Sequence, residues 1–355
     1  MYKKIIYFLI SFFYPLPKKI RKPYRTELLI KKINKIFYKV FQLENARLYT
    51  DTIHNFGIIK DKYLIDGPSY QYINNNLSHI RKNKILENGT PRKMIYLKGS
   101  VLSLLSGGGA NKNYFHWLFD VLPKLYLFEQ VHSLKKIDYF LFPNLDLSFQ
   151  KQTLRLLNIN RKKCLSSIDH RHIFSDKIFV TSHPYVLNFN SKYGSRNIPD
   201  WISSWLKKRF LKFSSNKFKY DKIYIDRKIK NTFNERYLIN NREIRNYLTK
   251  KDFKILYLED YSFKDQISIF KNAKIIIGLH GAGFANIVFC KKGTKIIEIL
   301  NKSTGPQIKN LAEQNNLKYT RVIGISDKNS HEQGGSMKIS LNYLKKKLNN
   351  YHLAG

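Results

Sequence analysis

Three short stretches of this 355-residue chain combine residue types that could handle phosphate and protons. The first is Ile275-Ile276-Ile277-Gly278-Leu279-His280-Gly281-Ala282-Gly283-Phe284-Ala285-Asn286-Ile287-Val288-Phe289, an apolar run that enters a glycine turn and then a helix. Glycines let the backbone approach a ligand closely, and a helix start offers N–H groups to a diphosphate. Glu298 follows His280 by eighteen residues, at the end of the next apolar run, where a carboxylate can accept hydrogen bonds from a ribose. The second stretch, Asn113-Tyr114-Phe115-His116-Trp117-Leu118-Phe119-Asp120, puts a histidine and an aspartate four residues apart, on one helix face. A carboxylate so placed fixes the imidazole tautomer and raises its basicity, as a general base requires. The same pair also serves simply as a satisfied core contact. In the third, Tyr224-Ile225-Asp226-Arg227, the arginine stands just past an apolar run, and Arg236 follows in a polar loop. Two guanidiniums can each bind a leaving diphosphate bidentately.

Absences narrow the chemistry. His280-Gly281-Ala282-Gly283 has the look of a hydrolase oxyanion loop, but no Gly-x-Ser-x-Gly elbow occurs anywhere. No Asp-x-Asp occurs either, so the expected anion-handling groups are protein cations and dipoles rather than a bound divalent metal. No cofactor is expected.

The elements that must position these residues read as α/β. In the second half, apolar strands at Lys222–Ile225, Phe253–Leu258, Lys274–Leu279 and Lys295–Leu300 alternate with helices. Those helices are predicted at Asn240–Lys250, with Asn240 as N-cap and Glu243 completing a capping box, at Phe263–Asn272 behind Ser262, and at Phe284–Phe289. Such alternation implies a parallel sheet covered on both faces, a Rossmann-like nucleotide domain. Met337–Tyr351 reads as a final helix that packs back on the first domain. In the first half, strands are predicted at Ile95–Leu97, Val101–Leu105, Tyr139–Phe142 and Ile178–Val180. Between them Tyr114–Gln130 is helical, with Pro123 imposing a kink or break, and Gly107-Gly108-Gly109 precedes it. A polar linker over Leu211–Tyr220 divides the chain into domains 1–210 and 211–355.

Composition sets the outer limits. The 43% hydrophobic and 14% aromatic content supplies packed cores and excludes disorder. The net charge of +39 suggests nucleic acid, yet the lysines are scattered and Asn, Ile, Tyr and Phe are abundant with them, as AT-rich coding produces. An anionic membrane surface or a polyanionic glycan would use the same charge. Cys164 and Cys290 are far apart with no metal-type spacing, which fits a reduced, cytoplasmic protein. Residues 1–22 hold an apolar stretch flanked by lysines, shorter than the ~20 residues of a spanning helix and a candidate peripheral membrane contact.

Taken together, the motifs resemble glycosyltransferase family 61. The resemblance runs from about Gly107 to Leu300 and rests on Asn113-Tyr114-Phe115-His116-Trp117 with Leu122-Pro123, and on Tyr224-Ile225-Asp226-Arg227 with Arg236 and Asn240. It rests also on Gly278-Leu279-His280-Gly281-Ala282-Gly283-Phe284-Ala285-Asn286 with Gly293-Thr294 and Glu298. Leu279 stands where many members have proline, and Asp226 where serine is common. The resemblance implies a GT-B-like fold, two Rossmann-like domains facing a cleft, and inverting, metal-independent transfer from a nucleotide-sugar donor. The implied acceptor is a glycan or lipid-linked glycan of bacterial capsule or lipopolysaccharide. The implied donor site is Arg227, Arg236, His280, Gly281, Ala282, Gly283, Asn286 and Glu298, and the implied base is His116 or Asp120. A basic nucleic-acid-binding protein and a non-catalytic scaffold of polysaccharide assembly are the alternatives.

Overall fold

A computed structural model describes residues 9, 13–14, 16–17, 19–51, 55–73, 76–106, 110, 112–187, 198–228, 236–326 and 335–349. Gly107–Gly109 and most of the segment 1–22 lie outside the described residues. The chain divides into two compact units, Met1–Trp205 and Leu206–Gly355. The boundary falls inside the helix Asp200–Phe210, just before the polar segment read as the linker.

The first unit is built on one mixed sheet. Its strands are β1 (Lys19–Arg21), β2 (Leu28–Ile33), β3 (Ile36–Thr50), β4 (Asn55–Lys60), β5 (Tyr63–Ile65), β6 (Tyr70–Ile73), β7 (Asn76–Ser78), β8 (Ile95–Ser103), β9 (Tyr139–Phe142), β10 (Cys164–Ser166) and β11 (His172–Thr181). Strands β8, β9 and β10 are parallel neighbours, and the helical segments Tyr114–Glu129 and Ser148–Leu156 make the two crossovers. Strand β11 returns to the other side of β8, also parallel, and its far edge pairs antiparallel with β3. The α/β alternation expected of this half therefore holds over β8–β10. The residues before it build antiparallel ribbons around β3. The two strands read at Ile95–Leu97 and Val101–Leu105 are one strand. Its register shifts opposite Ser175/Lys177, where Gly99 takes a φ of +98° and donates its N–H to Asp176 at 2.7 Å.

The segment Tyr114–Gln130 is not one straight helix: as expected it is divided at Pro123, with a turn at Leu122. The chain widens through a π-turn at Trp117–Val121, the Leu122 N–H reaching the Trp117 carbonyl at 3.1 Å, and Pro123 then opens the α-helix Pro123–Glu129. A proline has no N–H to give, so the first helical position is where it costs least.

The second unit holds a five-stranded sheet of β12 (Lys222–Asp226), β14 (Lys254–Tyr257), β15 (Ile275–Leu279), β16 (Lys295–Leu300) and β17 (Lys318–Ile323), all parallel, in the order β14-β12-β15-β16-β17. A small sheet joins β13 (Tyr237–Leu238), β18 (Ile325–Ser326) and β19 (Ser336–Lys338). The expected doubly wound pattern is present, and the sheet order reverses direction between β12 and β15. Open α/β sheets bind ligands at the carboxyl ends of strands at such a switch point.

Two local expectations differ. Asn240 precedes the helix Asn241–Thr249 but makes no side-chain cap; its amide donates to Glu243 at 2.8 Å and to the Ile339 carbonyl at 2.9 Å, tying the helix to the segment after β19. The last helix is Leu341–Asn349, preceded by β19, and its Leu344 and Leu348 pack in the second unit's own core with Tyr224, Leu238 and Ile297. The attraction is the apolar face of that sheet, which Ile277, Ile297 and Ile299 leave to be covered. Replacing the fully buried Leu344 by alanine should cost about 2–5 kcal/mol of unfolding free energy, read from denaturant melts of the whole chain. A loss under 0.5 kcal/mol would show that the helix does not close this core.

Candidate active site: two histidine–carboxylate clusters

The first cluster lies just beyond the carboxyl ends of β8 and β11. Asn113 accepts from the N–H groups of Phe115 (2.9 Å) and His116 (3.3 Å), so it caps the helical start that carries His116. His116 Nδ1 lies 2.7 Å from Asp120 Oδ2. A carboxylate can only accept, so Nδ1 carries the proton and Nε2 of the neutral ring is left as the basic nitrogen. The His116 ring is half-buried; the Asp120 side chain is 6% exposed. Tyr185, which follows β11, donates its hydroxyl to Asp120 Oδ1. His183 sits 3.8 Å from Asp120 Oδ2 and accepts on Nδ1 from the N–H groups of Tyr185 and Val186, so its proton is on the nitrogen facing Asp120. One turn below Asp120, fully buried Lys124 donates to Tyr70 Oη at 2.9 Å and to the Leu105 carbonyl.

Burial opposes charge throughout this cluster, and pairing overcomes it for the central two groups. Burial pushes the Asp120 carboxyl up, but the charge and hydrogen bond of His116, with those of His183, hold it well below the usual carboxylate range. Burial pulls His116 down, yet the charge and hydrogen bond of Asp120 outweigh it and raise its pKa. His183 and Lys124 go the other way: burial lowers both, the Lys124 ammonium to about 7.

The second cluster occupies the switch point of the second unit. His280 follows β15, and its Nδ1 lies 2.5 Å from Glu298 Oε1 on β16. Tyr319 on β17 donates to Glu298 Oε2 at 2.5 Å. Arg227, at the end of β12, and Arg236 both donate to the His280 carbonyl, at 2.6 and 3.0 Å. Two cations thus converge on the backbone of the glycine turn. Gly281 makes that approach possible: a Cβ there would stand 1.8 Å from Arg227 Nη2. Its φ of 166° is ordinary extended backbone, so the requirement is for space alone. The turn runs into a 3-10 helix, Ala282–Phe289, buried from Phe284 onward.

The structure brings Arg227, Arg236, His280, Gly281 and Glu298 together and assigns different surroundings to the rest. Asn286 is fully buried and donates to Gln266 at 2.8 Å and to the Gly283 carbonyl at 3.2 Å, which fastens the 3-10 helix to the helix Phe263–Asn272. A Cβ on Gly283 would meet Leu258 at 2.8 Å, so close packing is visible at this glycine. Glu298 is 1% exposed, and both its oxygens are engaged by His280 and Tyr319 rather than open to solvent. The sequence reading overlooked Tyr185, His183 and Tyr319. Tyr319 meets Glu298 from the neighbouring strand, and His183 and Tyr185 meet Asp120 from the segment after β11; no short-range spacing signals either contact.

Each unit thus holds a histidine paired with a buried carboxylate, and in the second unit two arginines converge on the glycine turn at the switch point. The family model described as Glycosyltransferase 61 matches residues 114–297, more than half of the chain, and the chain belongs to that family. Over 99 residues, 26% of this chain, it is 28% identical to the EGF domain-specific O-linked N-acetylglucosamine transferase of Drosophila melanogaster. That match spans 19% of the relative's length. Among the described residues no helix is long and apolar enough to cross a membrane.

The charge states of His116 and Asp120 set a pH signature. Asp120 is depressed, so its contribution to stability is present above its unfolded value, about 3.9, and is lost as pH falls. His116 is raised, so its contribution is full below about 6.5 and is lost as pH rises through the folded value. A double-mutant cycle with His116→Gln and Asp120→Asn should therefore give its largest coupling between about pH 4.5 and 6.5. Coupling that does not change from pH 5 to pH 9 would contradict an ion pair here.

Proposed function

We propose that the chain is an inverting transferase of the GT-B type. It moves a sugar from a nucleotide-sugar donor to a glycan or lipid-linked glycan acceptor and needs no bound metal. The observation that carries the donor half is the convergence of Arg227 and Arg236 on the His280 carbonyl beside the Gly281–Gly283 turn, at a sheet switch point. Each guanidinium has five N–H donors, so one bond to a carbonyl fixes its direction while others can meet phosphate oxygens. Charge growing on the leaving phosphate is then met by pre-aimed cations, the role a divalent ion plays elsewhere.

The acceptor half rests on His116. With Nδ1 donating to Asp120, Nε2 can take a proton from an acceptor hydroxyl, and the Asp120 carboxylate stabilises the imidazolium that forms. In-line attack of that oxygen on the anomeric carbon breaks the bond to the phosphate, releases the nucleoside diphosphate and inverts the centre. The bacterial surface polysaccharide setting, capsule or lipopolysaccharide, rests on the family resemblance alone. The Drosophila relative's name makes N-acetylglucosamine a first donor sugar to test.

Thermal melts of the purified protein against UDP, GDP, ADP and CMP, without added metal, test the donor site. One diphosphate should raise the melting temperature, and Arg227→Ala should abolish that rise and lower turnover about 10²–10³-fold with the fold intact. No shift with any nucleotide, but a steeply salt-dependent shift with DNA or RNA, would replace this reading with nucleic-acid binding. A raised His116 also predicts that kcat/KM is lost as pH falls along an acid limb centred above pH ~6.5, and that Asp120→Asn moves that limb to lower pH while reducing kcat.

A further inference from the structure

The two units carry the same three-residue arrangement. In each, a histidine beyond a parallel strand presents Nδ1 to one oxygen of a buried carboxylate, and a tyrosine hydroxyl donates to the other oxygen. His116, Asp120 and Tyr185 form it in the first unit, and His280, Glu298 and Tyr319 in the second. The repetition is not inherited from one local motif. Asp120 is four residues from its histidine on a helical turn, whereas Glu298 lies eighteen residues from His280 on a neighbouring strand. Tyr185 follows β11, and Tyr319 lies on β17.

We infer that Tyr185 and Tyr319 are positioning residues that set their histidines for two different tasks, Tyr185 for proton removal from the acceptor and Tyr319 for holding the donor diphosphate. The physical argument is the satisfaction of a buried carboxylate. Asp120 and Glu298 are 4% and 1% exposed, and an ionised carboxylate so placed needs a donor on each oxygen. With the tyrosine present, the second oxygen is held by a hydroxyl and the carboxylate plane is fixed toward the histidine. Without it, the carboxylate can rotate or draw the histidine out of line. Second-layer partners of this kind commonly change function by 10–100-fold while leaving the fold alone.

The division of labour follows from what surrounds each histidine. His280 is flanked by Arg227 and Arg236, which bind its own carbonyl, so moving its ring disturbs a cationic anion site. Around His116 the near groups are Asp120, the buried neutral-leaning His183 and Lys124, with no arginine bonded to it among the described residues; moving its ring disturbs a proton acceptor. Burial, then the Glu298 charge, raises the Tyr319 phenol, so it stays a donor throughout the working pH range.

The inference rests on the transferase reading for its task assignments, and the experiment separates the two. Tyr185→Phe and Tyr319→Phe keep ring volume and remove only the hydroxyl. Calorimetry with UDP or GDP, whichever shifts the melt, should show Kd raised about tenfold in Tyr319→Phe and within twofold of wild type in Tyr185→Phe. Turnover at saturating donor should fall about tenfold in Tyr185→Phe, with an acid limb displaced in that variant and not in Tyr319→Phe. Adding Tyr319→Phe to Glu298→Gln should cost nothing further, because the hydroxyl acts through the carboxylate. Equal effects of the two variants on Kd and kcat, or additive loss on Glu298→Gln, would overturn the assignment. If wild type binds no nucleotide, imidazole ¹⁵N spectra of the ligand-free protein still decide the positioning claim. Each Tyr→Phe change should perturb the Nδ1 signal of its own histidine and leave the other in place, and unchanged spectra would sink it.

Discussion

A carboxylate removed from water must be given donors on both oxygens or lose its charge, and this requirement organises each unit of the protein around one acidic side chain. Asp120 draws His116, His183 and Tyr185 toward the ends of β8 and β11, while Glu298 draws His280 and Tyr319 toward the ends of β15 and β16. The surrounding apolar residues supply the energy of folding but would be content with many arrangements. The buried acids are not, because each accepts only donors arriving at defined angles. Leu105 and Lys124 extend the same logic outward in the first unit, since the buried ammonium closes on a strand-end carbonyl and on Tyr70.

Parallel sheets explain why the acids sit where they do. Strand carboxyl ends are where consecutive strands part company, and the chain there is free to turn without breaking ladder hydrogen bonds. In the second unit that opening is framed by β12 and β15, and the cations that enter it come from the ends of those strands and the loop that follows. In the first unit it lies between β8 and β11, with the helix bearing His116 on one side and the segment bearing Tyr185 on the other.

What was legible in the sequence follows the range of each interaction. The strand, glycine turn and helical start around His280 are contiguous, and His116 and Asp120 are one turn apart, so patterns of a few residues disclosed both. Strands β12, β15 and β16 were legible because runs such as Ile275-Ile276-Ile277 are buried on both faces and need no alternation. The long β3 was not, because Lys39, Glu44 and Asn45 interrupt its apolar residues at exposed positions. Tyr185 and Tyr319 escaped notice for a different reason. Their partners lie 65 and 21 residues away, and only the tertiary fold brings them into reach. The surroundings of Glu298 were unreadable on the same ground, since an acid inside a strand such as β16 looks alike in sequence whether it faces solvent or a neighbouring strand's tyrosine.

The π-turn at Trp117–Val121 is a place where the helix holds one residue more than an α-helical path would take. Successive residues of a helix are offset by about 100°. One residue fewer there would turn His116 by about that angle relative to the helix Pro123–Glu129 that carries the buried Lys124. The length of this segment, as much as the side chains in it, therefore sets the direction in which the His116 imidazole points.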